Sequence, residues 1–205
     1  MNIRHVIASL LAILSFTCLN AQERRKLVDF NIEWGYSATL FESHNYIYYD
    51  DYGSRIPDKY TGLARMSNAY LLAGAGFNVG GKSNIGIQSG YCGIARDRNI
   101  IPLLLRYKYA FAGSSADGAI LIAGAGAGFP VNTTSDAVVV SGSIGGGYRL
   151  VLSGKTSIDI QCTARLAYDR PEVFQKGSNR PVPAGRILRN DAFYGSLNIG
   201  LAINF

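Results

Sequence analysis

Apolar and polar positions alternate along this chain with a period of two. In residues 28–40, Val28, Phe30, Ile32, Trp34, Tyr36, Ala38 and Leu40 are apolar or aromatic. Between them stand Asp29, Asn31, Glu33, Gly35, Ser37 and Thr39. The alternation recurs over residues 69–79, 85–91, 101–111, 121–129, 138–150, 158–168 and 193–205. Successive side chains of a strand point to opposite faces, so each segment predicts a strand with one apolar and one polar face. The 3.6-residue spacing of an amphipathic helix fits almost nowhere. Eight such strands in one chain of this length predict a single all-β domain, an eight-stranded antiparallel barrel.

Either face of such strands can line a barrel. A soluble lipid carrier turns the apolar face inward, and a membrane barrel turns it outward. The polar face decides. A water-exposed surface carries about 25–35% charged residues, but here it is mostly Gly, Ser, Asn and Thr, as at Gly124, Gly126, Ser141, Ser143, Thr163 and Asn198. Small residues suit a narrow lumen, so the apolar face is read as facing lipid in a transmembrane barrel.

The connections and the aromatics agree. With the first strand running up from the periplasm, the connections at one end are the short segments 80–83, 112–118 and 151–155. At the other end lie 41–68, 95–99, 130–136 and 169–190, two of them long. Short periplasmic turns and longer outer loops are the expected asymmetry of an outer-membrane barrel. Phe30, Phe77, Tyr109, Phe111, Tyr148 and Phe205 then fall near the lower rim, and Tyr36, Tyr91, Phe129, Tyr168 and Phe193 near the upper one. Two aromatic girdles mark two membrane interfaces. Trp34 sits deeper and does not fit neatly.

Composition narrows the class. Of 205 residues, 48% are hydrophobic and 17% charged, which excludes a disordered chain. Three cysteines exclude a disulfide scaffold. The formal charge of +6 permits an acidic partner. The basic residues are nevertheless spread over the lumen and a loop, with no recognition element, so no nucleic acid is expected.

The N-terminus reads as an export signal, residues 1–21, ahead of a barrel domain at 22–205. Arg4 precedes an apolar run from Val6 to Thr17, and Ala21 is followed by the polar stretch Gln22, Glu23, Arg24, Arg25, Lys26. This is the charged, apolar and small-residue order of a cleaved signal, with too few apolar residues to span a bilayer. A lipoprotein signal at Cys18 is the rival, disfavoured by Phe16 and Thr17. Cleavage after Ala21 leaves Cys92, Cys162 and His44 as the only cysteines and histidine.

Two segments carry a resemblance. Residues 101–109, Ile-Pro-Leu-Leu-Leu-Arg-Tyr-Lys-Tyr, resemble the "PLLLKYYF" strand of a family of small Gram-negative, eight-stranded outer-membrane β-barrels of OmpA/OmpX-like type. The Gly-rich strand at 123–129 fits the same pattern. Residues 198–205 are similar to the terminal strand signal of outer-membrane proteins, with Asn198, Gly200, Ile203 and Phe205 at its defining positions. The resemblance implies location in the outer membrane, contact with its lipid, and reading of that strand by the barrel-assembly machinery. It implies class rather than activity, because such barrels serve different roles.

Candidate chemistry is sparse. The Gly-rich runs lie inside strand patterns with no helix after them, so they are not phosphate cradles. Cys92 and Cys162 face opposite ways by parity, which predicts no disulfide, and a single His44 predicts no metal site. No cofactor is expected. Asp50, Asp51 and Asp58 match no calcium loop. Glu42, Ser43 and His44 at the upper rim have the residue types of a hydrolytic triad, but consecutive residues of an extended chain point apart. No enzymatic activity is predicted.

The inward charges say more. Glu33, Arg106, Lys108, Arg149, Asp159 and Arg165 fall on the lumen face, and charges in a narrow lumen need partners. Glu33 and Asp159 are expected to pair with Arg106 and Arg149. The outer loops add Tyr46, Tyr48, Tyr49, Tyr52 and Tyr60 in 41–68, and Arg170, Lys176, Arg180, Arg186 and Arg189 in 169–190. Tyr and Arg favour binding hot spots, so these two loops are candidates for an extracellular partner. The predicted function is an outer-membrane barrel with a structural or surface-interaction role and a charge-filled lumen. The alternatives are a small gated pore and an accessory component of a secretion or transfer machinery.

Overall fold

A computed structural model describes residues 27–95, 98–131, 137–153, 156–177 and 180–205. The signal segment expected at 1–21 lies outside the described residues. Eight strands follow in chain order: β1 (Val28–Tyr49), β2 (Arg55–Val79), β3 (Ser83–Ala95), β4 (Arg98–Ala110), β5 (Gly118–Pro130), β6 (Val139–Ser153), β7 (Thr156–Asp169) and β8 (Ile187–Asn204). Each pairs antiparallel with the next, and β1 closes the ring on β8. The result is an all-β, eight-stranded antiparallel barrel. Closure leaves the barrel wall no unpaired edge.

One expectation fails at the upper end. Residues 41–68 are not a loop. β1 and β2 continue through them as a ribbon, with β8 paired along β1 as far as Tyr48, and only residues 50–54 turn. The Asp50 carboxylate ties that turn by accepting from the backbone N–H of Tyr52 and Ser54, and Gly53 takes φ +80°. The cause of the misreading is a bulge. Thr39 pairs with Ser196 and Phe41 with Gly195, which leaves Leu40 as the extra residue on β1. An extra residue reverses the facing of everything beyond it. Odd positions face inward up to Thr39, and Glu42, His44, Tyr46 and Tyr48 face inward above it. In the other long connection, the described residues 170–177 and 180–186 carry a Phe174–Pro181 bridge and a 3-10 turn at Ala184–Arg186.

Alternation sorts the side chains as the strands demand. Ile87, Leu103, Leu105, Ile144 and Ile199 point outward and are each more than half exposed. Phe30, Phe77, Phe111 and Tyr148 are exposed toward the end with the short turns, and Phe129 and Phe193 toward the ribbon end. Tyr36 sits deeper than its predicted rim position. It pairs with Ile199, midway along β8 between Phe193 and Phe205.

The interior is layered rather than uniformly polar. A charged layer from β1, β4, β6 and β7 fills the lower half. Above it Tyr70, Leu72, Cys92, Ile94, Ile100, Val139 and Tyr194 form an apolar core. Close approach makes glycine necessary where β1 meets β8. A Cβ on Gly35 or Gly200 would run into the Tyr70 phenol oxygen and the backbone of the adjoining strand.

Candidate functional site: the lumen and the ribbon platform

The lower lumen holds two ion-pair groups. Arg106 on β4 donates from Nη1 to Glu33 Oε2 on β1 at 2.5 Å and to Gln88 Oε1 at 2.8 Å, and from Nη2 to Gln161 Oε1 at 2.8 Å. Arg149 on β6 grips Asp159 on β7 with two parallel bonds, Nε to Oδ1 at 2.7 Å and Nη2 to Oδ2 at 2.9 Å. Lys108 adds a bond from Nζ to Asp159 Oδ2 at 3.1 Å and another to Asn204 Oδ1 at 3.0 Å. All five charged groups are buried, with Asp159 fully so. Each cation therefore meets a carboxylate, as burial requires.

Arg165 stands apart from these groups and is a correction to the six-residue set. Its strand carries it six residues beyond Asp159, up to the apolar layer. Nη1 contacts Cys92 Sγ at 2.6 Å, and Nη2 donates to Ser37 Oγ at 2.8 Å and to the Gly93 carbonyl at 3.1 Å. No carboxylate among the described residues pairs with it.

Sequence reasoning missed a third pair. Arg98 donates from Nε and Nη2 to the two carboxylate oxygens of Asp169, each at 2.7 Å. Both sat in connections, by the boundaries drawn there. The parity of their strands was the available signal: Arg98 continues the inward series Ile100 to Lys108, and Asp169 the series Asp159 to Ala167. The neutral relays Asn31, Gln88 and Gln161 also escaped notice. Gln88 Nε2 donates to Asn31 Oδ1 at 2.5 Å.

A cavity of about 40 Å³ remains above the charged layer, with Glu33, Arg106, Arg165, Ser141, Thr163 and Asn198 in its wall. Cys92 is buried, Cys162 is exposed on the outer face, and neither is bonded. Among the described residues no group of three or more His, Cys, Asp or Glu is gathered as metal ligands.

At the ribbon end the two long connections are packed together. Tyr48 is fully buried against Val173 and Val182 of the 170–186 segment. Arg186 pairs with Asp51 at the ribbon turn at 2.6 Å. Asp191 accepts from Tyr168 Oη at 2.7 Å and from Arg189 Nε at 2.6 Å, and those bonds hold its carboxyl below the usual carboxylate range. Burial pushes the Tyr46 phenol upward. Between the ribbon turn and the segment lies a cleft of about 170 Å³, with Asp50, Asp51, Arg180 and Arg186 in its walls. Tyr49, Tyr52 and Tyr60 remain exposed on the ribbon.

The Glu42, Ser43, His44 trio does not converge. His44 Nδ1 lies 3.6 Å from Glu42 Oε1, and its ring stacks between Tyr46 and Tyr60. Ser43 points to the opposite face and shares a 2.9 Å hydrogen bond with Thr61. The terminal-strand residues are engaged within the barrel. Asn198 donates to Thr163 Oγ1 at 3.2 Å, Gly200 lies under Tyr70, Ile203 pairs with Ile32 and Ile158, and Phe205 exchanges two backbone hydrogen bonds with Phe30.

No family model matches the chain, and no curated protein matches its sequence. Two solved structures are similar in shape. The outer membrane protein OprG from Pseudomonas aeruginosa is 14% identical with a TM-score of 0.46, over 88% of this chain and 97% of that one. Neisserial surface protein A is 11% identical with a TM-score of 0.41, over 86% of this chain and 97% of that one.

Proposed function

We propose that this protein spans the outer membrane as a barrel closed by its own side chains and acts through the platform that its ribbon and the 170–186 segment build above the bilayer. The observation that carries the reading is the outer surface. It presents a continuous apolar belt, from Ile87 and Leu103 to Ile144 and Ile199, with aromatic side chains toward both ends. Monomeric soluble proteins rarely expose apolar patches beyond a few hundred Å², whereas a lipid-facing barrel requires such a belt. The acyl chains of the membrane are the partner that this face calls for.

Two further features support the finer reading. The Arg106–Glu33 and Lys108–Asp159 pairs cross a lumen of eight-stranded width, which side chains fill. Such a lumen suits a structural or surface-binding barrel better than a pore. Above it, the platform is already ordered by Tyr48 and by Arg186–Asp51, so its exposed tyrosines bind without a large ordering cost.

Trp34, the one Trp of the chain, lies on the belt and tests the reading. The protein is refolded into vesicles whose acyl chains carry bromine, and the Trp34 emission is recorded beside single-channel currents in a planar bilayer. Strong quenching with no steady current is the expected pair of results. An unquenched Trp34 in a chain that stays soluble without detergent rejects membrane insertion. Quenching with steady current rejects the closed lumen and makes the protein a small pore.

A further inference from the structure

Arg165 is the lumen cation without a carboxylate partner among the described residues, and it lines the same cavity as Arg106. Each of these guanidinium groups keeps one donor unsatisfied. Arg165 Nε and Arg106 Nε are both buried and neither has a hydrogen-bond partner. Arg106 is itself only 8% exposed. Native proteins rarely leave buried donors unpaired, and a charged group makes the omission more costly.

The wall between the two arginines has the chemistry that an anion takes. Ser141, Ser143 and Thr163 bring hydroxyls, while Asn198 spends its amide N–H on Thr163 Oγ1 and adds no free donor. Glu33 lines the cavity too, but it is matched by Arg106 at 2.5 Å. The ionised groups of the wall therefore sum to one positive charge, carried by Arg165. Apolar side chains, Tyr70, Leu72, Ile100 and Leu104 among them, close the other side, and the Gly93 carbonyl outside the wall holds the Arg165 guanidinium in place. A site for one water needs about 10–15 Å³, so 40 Å³ admits a monatomic anion with a water and excludes an organic acid.

We propose that the lumen binds one small inorganic anion of halide size between Arg165 and Arg106. The ion completes the charge balance of the upper layer, using donors that the ion pairs below it do not use. The site is independent of the platform and of its partner. A ligand that binds the folded state stabilises it in a saturable way, so occupancy is read from stability.

The test uses the full barrel refolded in detergent. Its thermal unfolding midpoint is followed as sodium chloride replaces sodium gluconate at constant ionic strength. The midpoint is expected to rise and then saturate, and Arg165→Met is expected to remove the rise. A midpoint that is the same in both salts, or an equal rise in Arg165→Met, overturns the site. Should Arg165→Met fail to fold, crystals of the unmodified protein grown with sodium bromide decide. An anomalous peak beside Arg165 and Arg106 is expected there, and a cavity without one rejects the proposal. Neither readout depends on conductance, so a failure here leaves the closed-lumen reading standing, and the reverse also holds.

Discussion

Tyr48 Oη accepts a hydrogen bond from the backbone N–H of Lys176 at 2.8 Å, joining positions 128 residues apart. The ring beneath is fully buried against Val173 and Val182. One side chain of the ribbon thus serves as the core for an otherwise irregular segment. Without it, little apolar surface would hold residues 170–186 down. Tyr48→Ala is expected to cost about 3–5 kcal/mol locally. The loss should appear as rapid trypsin cleavage after Lys176 or Arg186, the basic residues of the segment not followed by proline, while the barrel keeps its heat-modifiable gel migration. Tyr48→Phe, which loses one neutral hydrogen bond of about 1 kcal/mol, should be cleaved only slightly faster than the native protein. Equal cleavage of Tyr48→Ala and the native chain would show that the segment is held by something else.

Arg106 and Glu33 are expected to show strong coupling. Removing either partner leaves a buried charge, at a cost of about 3–5 kcal/mol. Glu33→Gln strands the Arg106 guanidinium, and Arg106→Met strands the carboxylate. The double variant leaves neither charge and should recover much of the loss. Urea unfolding in detergent, followed by far-UV circular dichroism, measures all three. Losses that simply add would mean that the two residues act separately despite their 2.5 Å contact.

The alternation from Val28 to Leu40 and from Ile158 to Tyr168 made the strands, their facing and the barrel legible in advance. That alternation is imposed by a wall one residue thick. The ribbon was not legible for a related reason. Above Leu40 no single medium bathes each face, so polar and aromatic residues mix on both sides, as at Ser43, His44 and Tyr46. A one-residue bulge leaves no mark in composition, yet it turns Tyr46 and Tyr48 inward. Glu33, Arg106, Arg149 and Asp159 could be placed in the lumen by parity alone. Their partners depend on strand stagger, which parity does not encode. Stagger is what sets Arg165 beside Ser37 and Cys92 instead of a carboxylate, and what brings Arg98 to Asp169.

Gly200 and Tyr70 form a fitted pair on either side of Gly35, on the inner face of the wall. A methyl group on Gly200 would collide with the Tyr70 phenol oxygen and with the Trp34 carbonyl. Overpacking of this kind costs about 1–3 kcal/mol, and Gly200→Ala is expected to lose that much in urea unfolding. Tyr70→Phe removes the first obstacle. Combined with Gly200→Ala, it should cost less than the two single changes added together. Strict additivity would place the strain of Gly200→Ala at the Trp34 carbonyl instead.

Asp191 gives the platform a defined response to acid. The Tyr168 hydroxyl and then Arg189 stabilise its ionised form, so its folded-state pKa lies below the unfolded value, about 3.9 for an ordinary aspartate. A depressed carboxyl contributes stability that is fully present above the unfolded value and lost as pH falls through the folded one. The Asp191 links to Tyr168 and Arg189 should therefore hold at neutral pH and through mild acidification, and open only in strong acid. Exposure and solvent screening keep the effect small and local, so the side-chain carbon resonance of Asp191 is the right probe. Its titration midpoint is expected below that of an unstructured aspartate, and Tyr168→Phe should raise it more than Arg189→Met does. A midpoint unmoved by Tyr168→Phe would remove the hydroxyl as the main cause, leaving Arg189 to hold the carboxylate.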